Sequence, residues 1–373
     1  MTEYTVRPVS LTGTYVVSPE RPAPPPRVYS GGKGDATTDN VARYTTADLP
    51  VYLLRCLAEM LQNFGIDSER LCLGLGFEIG DLSDPECRLS FRQASAMIRR
   101  AIELAPDRGI GLELANNETI GSIGLVGYAM LTSPTLGDAA ALGVSMQDYA
   151  GSLIKLDYVK SPATMSIIAT SHFHQPDIEM FLVEESFGIF LKLARALVGD
   201  EFRLSSVDLS YARPSYAEQY ERTFGCPIRF GQKDNVFSCN ASWSTKRIAT
   251  YDPLSHRQAL RLLELANVQG SDDTDLIESV ERIVRRDLHK APTLAAIAVQ
   301  LCMSERTLRR KLACCGVSFQ ALLDGVRQRR ATALLQNSRF SLEEIAYEVG
   351  FSDCHNFRRA FKRWTGRSPR SAA

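Results

Sequence analysis

The chain has 373 residues, 45% of them hydrophobic, and its 43 Lys/Arg balance 43 Asp/Glu. That length and composition support two or three folded cores and exclude a uniformly charged or disordered chain. Met1-Thr2-Glu3 opens no charged-then-apolar leader, so a cytoplasmic protein without a membrane partner is expected.

The first 44 residues contain Pro22-Ala23-Pro24-Pro25-Pro26 and Gly31-Gly32-Lys33-Gly34, too few apolar groups to pack, and are expected to be a disordered tail. Asp48 to Asn63, with Leu53, Leu54, Leu57, Ala58 and Leu61 at helical spacing, predicts an amphipathic helix. Ser90-Phe91-Arg92-Gln93 is a capping box opening another through Leu104. Gly121-Ser122-Ile123-Gly124-Leu125-Val126-Gly127 lacks the Gly-Lys-Ser/Thr ending of a phosphate loop and predicts a turn followed by close helix packing.

From Leu153 the period changes. Leu153–Val159 and Thr164–Thr170 read as a hairpin turning at Pro162, Leu204–Tyr211 as a third strand, and Asn235–Cys239 as a fourth. Pro176 to Gly199 lies between them, a buried helix with Pro at its first turn and Gly past its end. Pro253 to Val268, with Leu260, Leu262, Leu263, Leu265 and Ala266, is a further amphipathic helix that either continues the core, the expected role, or serves as a dimer surface. Gly270-Ser271-Asp272-Asp273-Thr274-Asp275 is the clearest linker, and Leu276–Val284 starts a helical C-terminal region.

Catalytic and metal signatures are thin. His172-Phe173-His174 shares one strand face at i, i+2, but nothing identifiable completes a site, so no metal is expected. There is no G-x-S-x-G, no H-E-x-x-H, and no nucleophile with a traceable base, so neither an enzyme nor a cofactor is expected. Nine cysteines without a C-x-x-C pair suit a reducing compartment.

The last eighty residues carry one pattern twice. Thr293 precedes Ile297-Ala298, then Ser304 precedes Leu308 and Leu312; Ser341 precedes Ile345-Ala346, then Ser352 or Asp353 precedes Phe357 and Phe361. Each copy is a capped short helix, a turn and a second helix with one apolar stripe, which is helix-turn-helix spacing. Ser318 to Gln336 reads as a stiff connecting helix with Arg327, Arg329 and Arg330 on or near its polar side. The outer faces hold Arg306, Arg309 and Arg310 in the first unit and Cys354, His355, Asn356, Arg358, Arg359 and Lys362 in the second. From Ala291 onward fourteen Lys/Arg face six Asp/Glu, a surplus of eight that the rest of the neutral chain offsets. Asymmetry of that kind points to a polyanion partner for one domain, and arginines on a second helix suit the major groove of double-stranded DNA.

Met303-Ser304-Glu305-Arg306-Thr307-Leu308-Arg309-Arg310-Lys311-Leu312 and Ile345-Ala346-Tyr347-Glu348-Val349-Gly350-Phe351-Ser352-Asp353, with Phe357 to Pro369, resemble the DNA-binding domain of the AraC/XylS family of bacterial transcription regulators. Gly124-Leu125-Val126-Gly127-Tyr128-Ala129 and Thr135-Leu136-Gly137-Asp138-Ala139 resemble, more loosely, the effector and dimerisation domain of one subgroup. The resemblance implies that Arg306, Arg309, Arg310, Cys354, His355, Asn356 and Arg359 face DNA, and that the protein activates transcription with RNA polymerase as a partner.

The expected architecture is multidomain, an α+β N-terminal effector domain followed by an all-α DNA-binding domain with two helix-turn-helix units. The bounds are a tail at 1–44, an effector-binding and dimerisation domain at 45–268, a linker at 269–275 and a DNA-binding domain at 276–373. Within the last, the units span about 293–313 and 341–365, joined by a helix at about 318–336. A homodimeric, ligand-responsive transcription factor is the reading, its small-molecule effector and effector-binding residues unspecified. An enzyme fused to a DNA-binding tail, or a constitutive dimerisation module on the same tail, are the alternatives.

Overall fold

The computed structural model describes residues 44–117, 119–266, 275–336 and 340–369. The tail and linker expected at 1–44 and 269–275 lie outside the described residues, except for Tyr44 and Asp275.

The helix expected from Asp48 starts later. Ala47–Pro50 is a short strand, β1, and the helix α1 runs from Tyr52 to Asn63 with Leu54, Leu57, Ala58 and Leu61 buried. The proline ring at position 50 holds Leu49 in extended backbone, and the segment pairs antiparallel with Arg88–Ser90, β2, beyond the single turn α2 (Glu69–Cys72). Helix α3 (Phe91–Leu104) opens with the capping box in place: Ser90 Oγ accepts from the Gln93 amide at 3.2 Å while Gln93 Oε1 accepts from the Ser90 amide at 3.0 Å. Helix α4 (Ile110–Asn117) and a 3-10 turn at Ile120–Ile123 lead to α5 (Gly124–Leu131). A Cβ at Gly127 would lie 2.1 Å from the Ile120 carbonyl oxygen, so the glycine-rich run packs a helix against its own preceding turn.

Helix α6 (Leu136–Ser145) is capped by Thr135, whose Oγ1 accepts from the Asp138 amide. It precedes the hairpin β3 (Ile154–Lys160) and β4 (Thr164–Ser171), paired from Ile154 opposite Ser171 to Lys160 opposite Met165. Helix α7 (Pro176–Val198) has Pro in its first turn and ends at Gly199, whose φ of 99° a residue with a Cβ would adopt only under strain. Strand β5 (Leu204–Asp208), helix α8 (Glu218–Phe224), β6 (Ile228–Arg229), β7 (Asn235–Asn240) and α9 (Pro253–Ala266) complete the first unit. The sheet order is β3-β4-β7-β5-β6, antiparallel but for β5 and β6. The two-residue β6 is too short to leave a period in the sequence. One hydrophobic core, from Val51 to Leu263, unites these elements. In α9 only part of the expected stripe is core: Ala259 and Leu263 are buried, whereas Leu262 and Leu265 are more than half exposed.

A second core, from Ile277 to Phe361, unites the helical remainder. It comprises α10 (Asp275–Arg286), α11 (Leu294–Gln300), α12 (Glu305–Cys314), α13 (Phe319–Gln336), α14 (Leu342–Glu348) and α15 (Cys354–Thr365).

Helix α10 belongs to both units. Ile277, Val280, Ile283 and Val284 join the second core. On the other face, Asp275 accepts from Ser90 Oγ at 3.0 Å and from Arg92 Nε at 2.5 Å, and Ser279 Oγ accepts from Gln93 Nε2 at 2.9 Å. Arg282 donates to the carbonyls of Gly76 at 3.1 Å and Arg88 at 2.7 Å, and Arg286 pairs with Glu78 at 2.6 Å. Spaced by four, three and four residues, Asp275, Ser279, Arg282 and Arg286 make one polar stripe. The Ser90 capping box is thus both a helix start and the docking point of the second unit.

Candidate nucleic-acid interface and ligand cavity

Each short helix of the two repeats starts on a side-chain oxygen. Thr293 accepts from the Ala296 amide, Ser304 from Thr307, and Ser341 from Glu344, whose carboxylate accepts in return from the Ser341 amide at 2.7 Å. At the second reading helix the cap is Asp353 rather than Ser352, its Oδ1 accepting from the Asn356 amide at 2.7 Å. That bond holds the Asp353 carboxyl below its usual range, as the Ser341 amide does for Glu344.

The apolar stripes turn inward: Leu308, Leu312, Phe357 and Phe361 are all buried. Phe351, Phe357, Phe361 and Trp364 form a chain of ring contacts with centroids 5.8–5.9 Å apart. Facing the other way, Arg306, Arg309 and Arg310 of α12 and His355, Asn356, Arg358, Arg359 and Lys362 of α15 are exposed, and Cys354 is half-buried. Arg309 is paired with Glu305 at 2.5 Å and the Asn356 amide with Asp353 at 2.6 Å. Arg306, Arg310, Arg358, Arg359 and Lys362 carry no salt bridge among the described residues, leaving five cations for an anionic partner.

Arg327 departs from the polar-side expectation. It is half-buried, donates to the carbonyls of Val349 and Gly350 at 3.0 Å each, and lies 4.6 Å over the Phe351 ring. Those carbonyls end α14, so Arg327 ties the connecting helix to the second repeat. Burial lowers its pKa. Arg363 reaches back to Asp324 at 2.9 Å and Arg329 to Glu281 at 2.5 Å, so the middle of α13 is tied to α15 and to α10. Periodicity places a side chain on a face but does not say where a long guanidinium reaches.

The first unit contains a cavity of about 130 Å³ between α7, the hairpin and helices α5 and α6. Val126, Met130, Val144, Met165, Ile189 and Phe237 are among its apolar walls, with Glu185 and Ser186 on α7. No sequence signal separated these residues from ordinary core, because a cavity-lining stripe has the same helical spacing as a packed one. Beyond the cavity, Glu184 is buried, accepts from Tyr216 Oη at 2.7 Å and from Tyr220 Oη, and has its pKa raised to about 7 by burial. His172 and His174 are joined by no third ligand: among the described residues no group of three His, Cys, Asp or Glu can hold a metal. No described helix is long and apolar enough to cross a membrane.

Comparison with known proteins adds the family. Residues 65–248 match the arabinose-binding domain of AraC transcription regulators, and residues 297–372 match a helix-turn-helix domain. The chain is 28% identical to the ornithine utilization regulator of Pseudomonas aeruginosa over 330 residues, covering 87% of this chain and 96% of that one. It is 28% identical to the regulator VqsM of the same species, over 69% of this chain and 81% of that one. The crystal structure of the regulator CdpR from Pseudomonas aeruginosa aligns over 86% of this chain and 97% of that one, at 23% identity and a TM-score of 0.44. The relatives are transcriptional regulators and not enzymes. With a ligand-binding α/β domain followed by a helical DNA-binding domain, the chain belongs to the AraC/XylS family of transcriptional regulators.

Proposed function

We propose that this regulator is a cytoplasmic, homodimeric activator that reads promoter DNA through both repeats and is controlled by a small molecule held in its N-terminal domain. The carrying observation is the pair of capped second helices whose outward Arg306, Arg310, Arg358, Arg359 and Lys362 have no ion partner among the described residues. Arg306, Arg310, Arg358, Arg359 and Lys362 supply phosphate and base contacts, with Arg309, Cys354, His355 and Asn356 on the same surface. Phosphate neutralisation gives affinity and salt dependence, while bidentate arginines discriminate guanine. With the rigid α13 between them, the two reading helices enter successive major grooves roughly 10 bp apart.

The effector domain spans residues 45–268, the linker 269–275 and the DNA-binding domain 276–373, behind a tail at 1–44. Leu254, Leu262 and Leu265, each more than half exposed on α9, support a pairing surface for a second copy. RNA polymerase is the partner through which activation is exerted. Effector control is supported by the route from cavity to reader: Tyr52 and Leu53 of α1 line the cavity, α1 packs on α3, and the cap of α3 holds α10.

Fluorescence anisotropy of the full-length protein on its own upstream intergenic DNA and on a scrambled duplex, across salt concentrations, tests the reading. The native duplex is expected to bind at least about a thousandfold tighter at physiological salt. Equal, weak binding to both by full-length protein and by protein preincubated with cell metabolites refutes it.

A further inference from the structure

The polar side chains of the cavity wall are already committed, with one exception. Among the described residues no Lys, Arg or His lines the cavity. Glu185, its one charged wall group, is 8% exposed and is engaged by Ser186 Oγ at 3.2 Å and by a further interaction. Gln147 donates to the carbonyls of Val144 and Leu156 and accepts from the Leu156 amide, and Ser152 donates to Ile154. Tyr52 differs: it is half-buried in the same wall, and its hydroxyl makes no hydrogen bond among the described residues. Its Oη lies 3.7 Å from where a Cβ at Gly124 would sit, at the start of α5, a helix that also lines the cavity through Val126 and Met130.

Resting on the reading of this cavity as the effector site, we propose that its ligand is a small, uncharged, mainly apolar molecule with one hydroxyl or carbonyl group, which is received by the Tyr52 hydroxyl. An anion would be desolvated with no cation in the wall to offset it, and a cation would have to displace the partners that Glu185 already holds. A phenolic hydroxyl both donates and accepts, so it suits either an alcohol or a carbonyl oxygen. The volume is close to that of an apolar cavity of about 150 Å³ that holds benzene, which limits the apolar part to one ring or a short chain. Because Tyr52 stands on α1, the ligand's polar group bonds to the element that packs on α3.

The test uses full-length protein at neutral pH and four probes sharing one ring, benzyl alcohol, toluene, benzoate and benzylamine, with 1-butanol to 1-octanol for a chain, read by titration calorimetry and melting temperature. Benzoate and benzylamine are expected to bind at least about tenfold more weakly than benzyl alcohol. Tyr52→Phe, which keeps the ring, should weaken benzyl alcohol roughly fivefold and leave toluene unchanged. Benzoate or benzylamine binding as well as benzyl alcohol overturns the uncharged class and leaves the cavity as the effector site. Equal changes for benzyl alcohol and toluene in Tyr52→Phe overturn Tyr52 as the receiving group. If that variant does not fold, the unaltered protein decides: toluene binding more than about tenfold tighter than benzyl alcohol would show that the buried hydroxyl finds no partner. No binding by any probe overturns the effector reading of the cavity as well.

Discussion

Removing the Asp275 carboxylate is the sharpest perturbation of the contact between the two units. Asp275 is 5% exposed and accepts from both Ser90 and Arg92. A hydrogen bond to a buried charged group contributes roughly 1.5–3 kcal/mol. The Arg92 side chain is 42% exposed, so its ion pair is screened and belongs with surface pairs at up to about 1 kcal/mol. Together, Asp275→Ala is expected to weaken docking of α10 by about 2–3 kcal/mol. The variant leaves the apolar face of α10 untouched, so the second core persists and the loss appears as local opening. Hydrogen exchange monitored by mass spectrometry should show backbone amides of Ile277 to Arg286 exchanging roughly 30-fold faster or more, with the amides of α15 unchanged. A double-mutant cycle with Arg92→Ala should return a coupling of about 1 kcal/mol or less, and one with Ser90→Ala a larger one. Unchanged exchange in α10 with an unchanged urea midpoint would show that the contact is incidental to the docking.

Three further outcomes are expected. Burial raises the Glu184 carboxyl from 4.5 to about 7, so the native state holds a proton that the unfolded chain releases. The stability this gives is complete below pH 4.5 and is lost as pH rises through about 7, on the order of 3 kcal/mol in all. Glu184→Gln should therefore flatten urea midpoints between pH 5 and 8, and a persisting slope would assign it to other groups. Phe361 is 1% exposed on the aromatic chain of the second repeat, and Phe361→Ala should destabilise the DNA-binding domain by about 3–5 kcal/mol in calorimetry; an unchanged transition refutes the packing argument. Arg359→Ala should cost about 1–3 kcal/mol on the cognate site and relax preference at one base pair, whereas equal losses on all duplexes would make it a phosphate contact.

What was legible in the sequence was local. Ser90 with Gln93 and Ser341 with Glu344 announce helix starts because the partners are three residues apart, and each bond is present. The inward stripes Leu308/Leu312 and Phe357/Phe361 follow from a spacing of four. What stayed hidden joins distant residues. Nothing near Asp275, read as one acidic residue of a linker, indicates a partner 185 residues away at Ser90. Arg327 was read from its phase on the helix, yet its length lets it leave that face for the ends of α14. The Asp48 segment misled because an apolar period of 3.6 continues past Pro50, where the backbone requirement of the ring overrides it.

The geometry also bounds what an effector can accomplish. A ligand shifts the equilibrium only by its difference in affinity between two arrangements. The contact available to be made or broken here is the polar stripe of α10, fastened at the α3 cap, and its Asp275 bonds amount to about 2–3 kcal/mol. That falls in the usual range for coupling between sites, about 1–3 kcal/mol. Driving a reader from about 1% to 99% engaged requires about 5.5 kcal/mol, more than these bonds supply. Loosening them in one subunit therefore biases the orientation of the reading helices without switching it fully. In the effector-controlled homodimer proposed above, two subunits released together, each by a similar amount, reach the larger figure, so a steep response there would require that the pair of chains bind the effector and DNA as a unit.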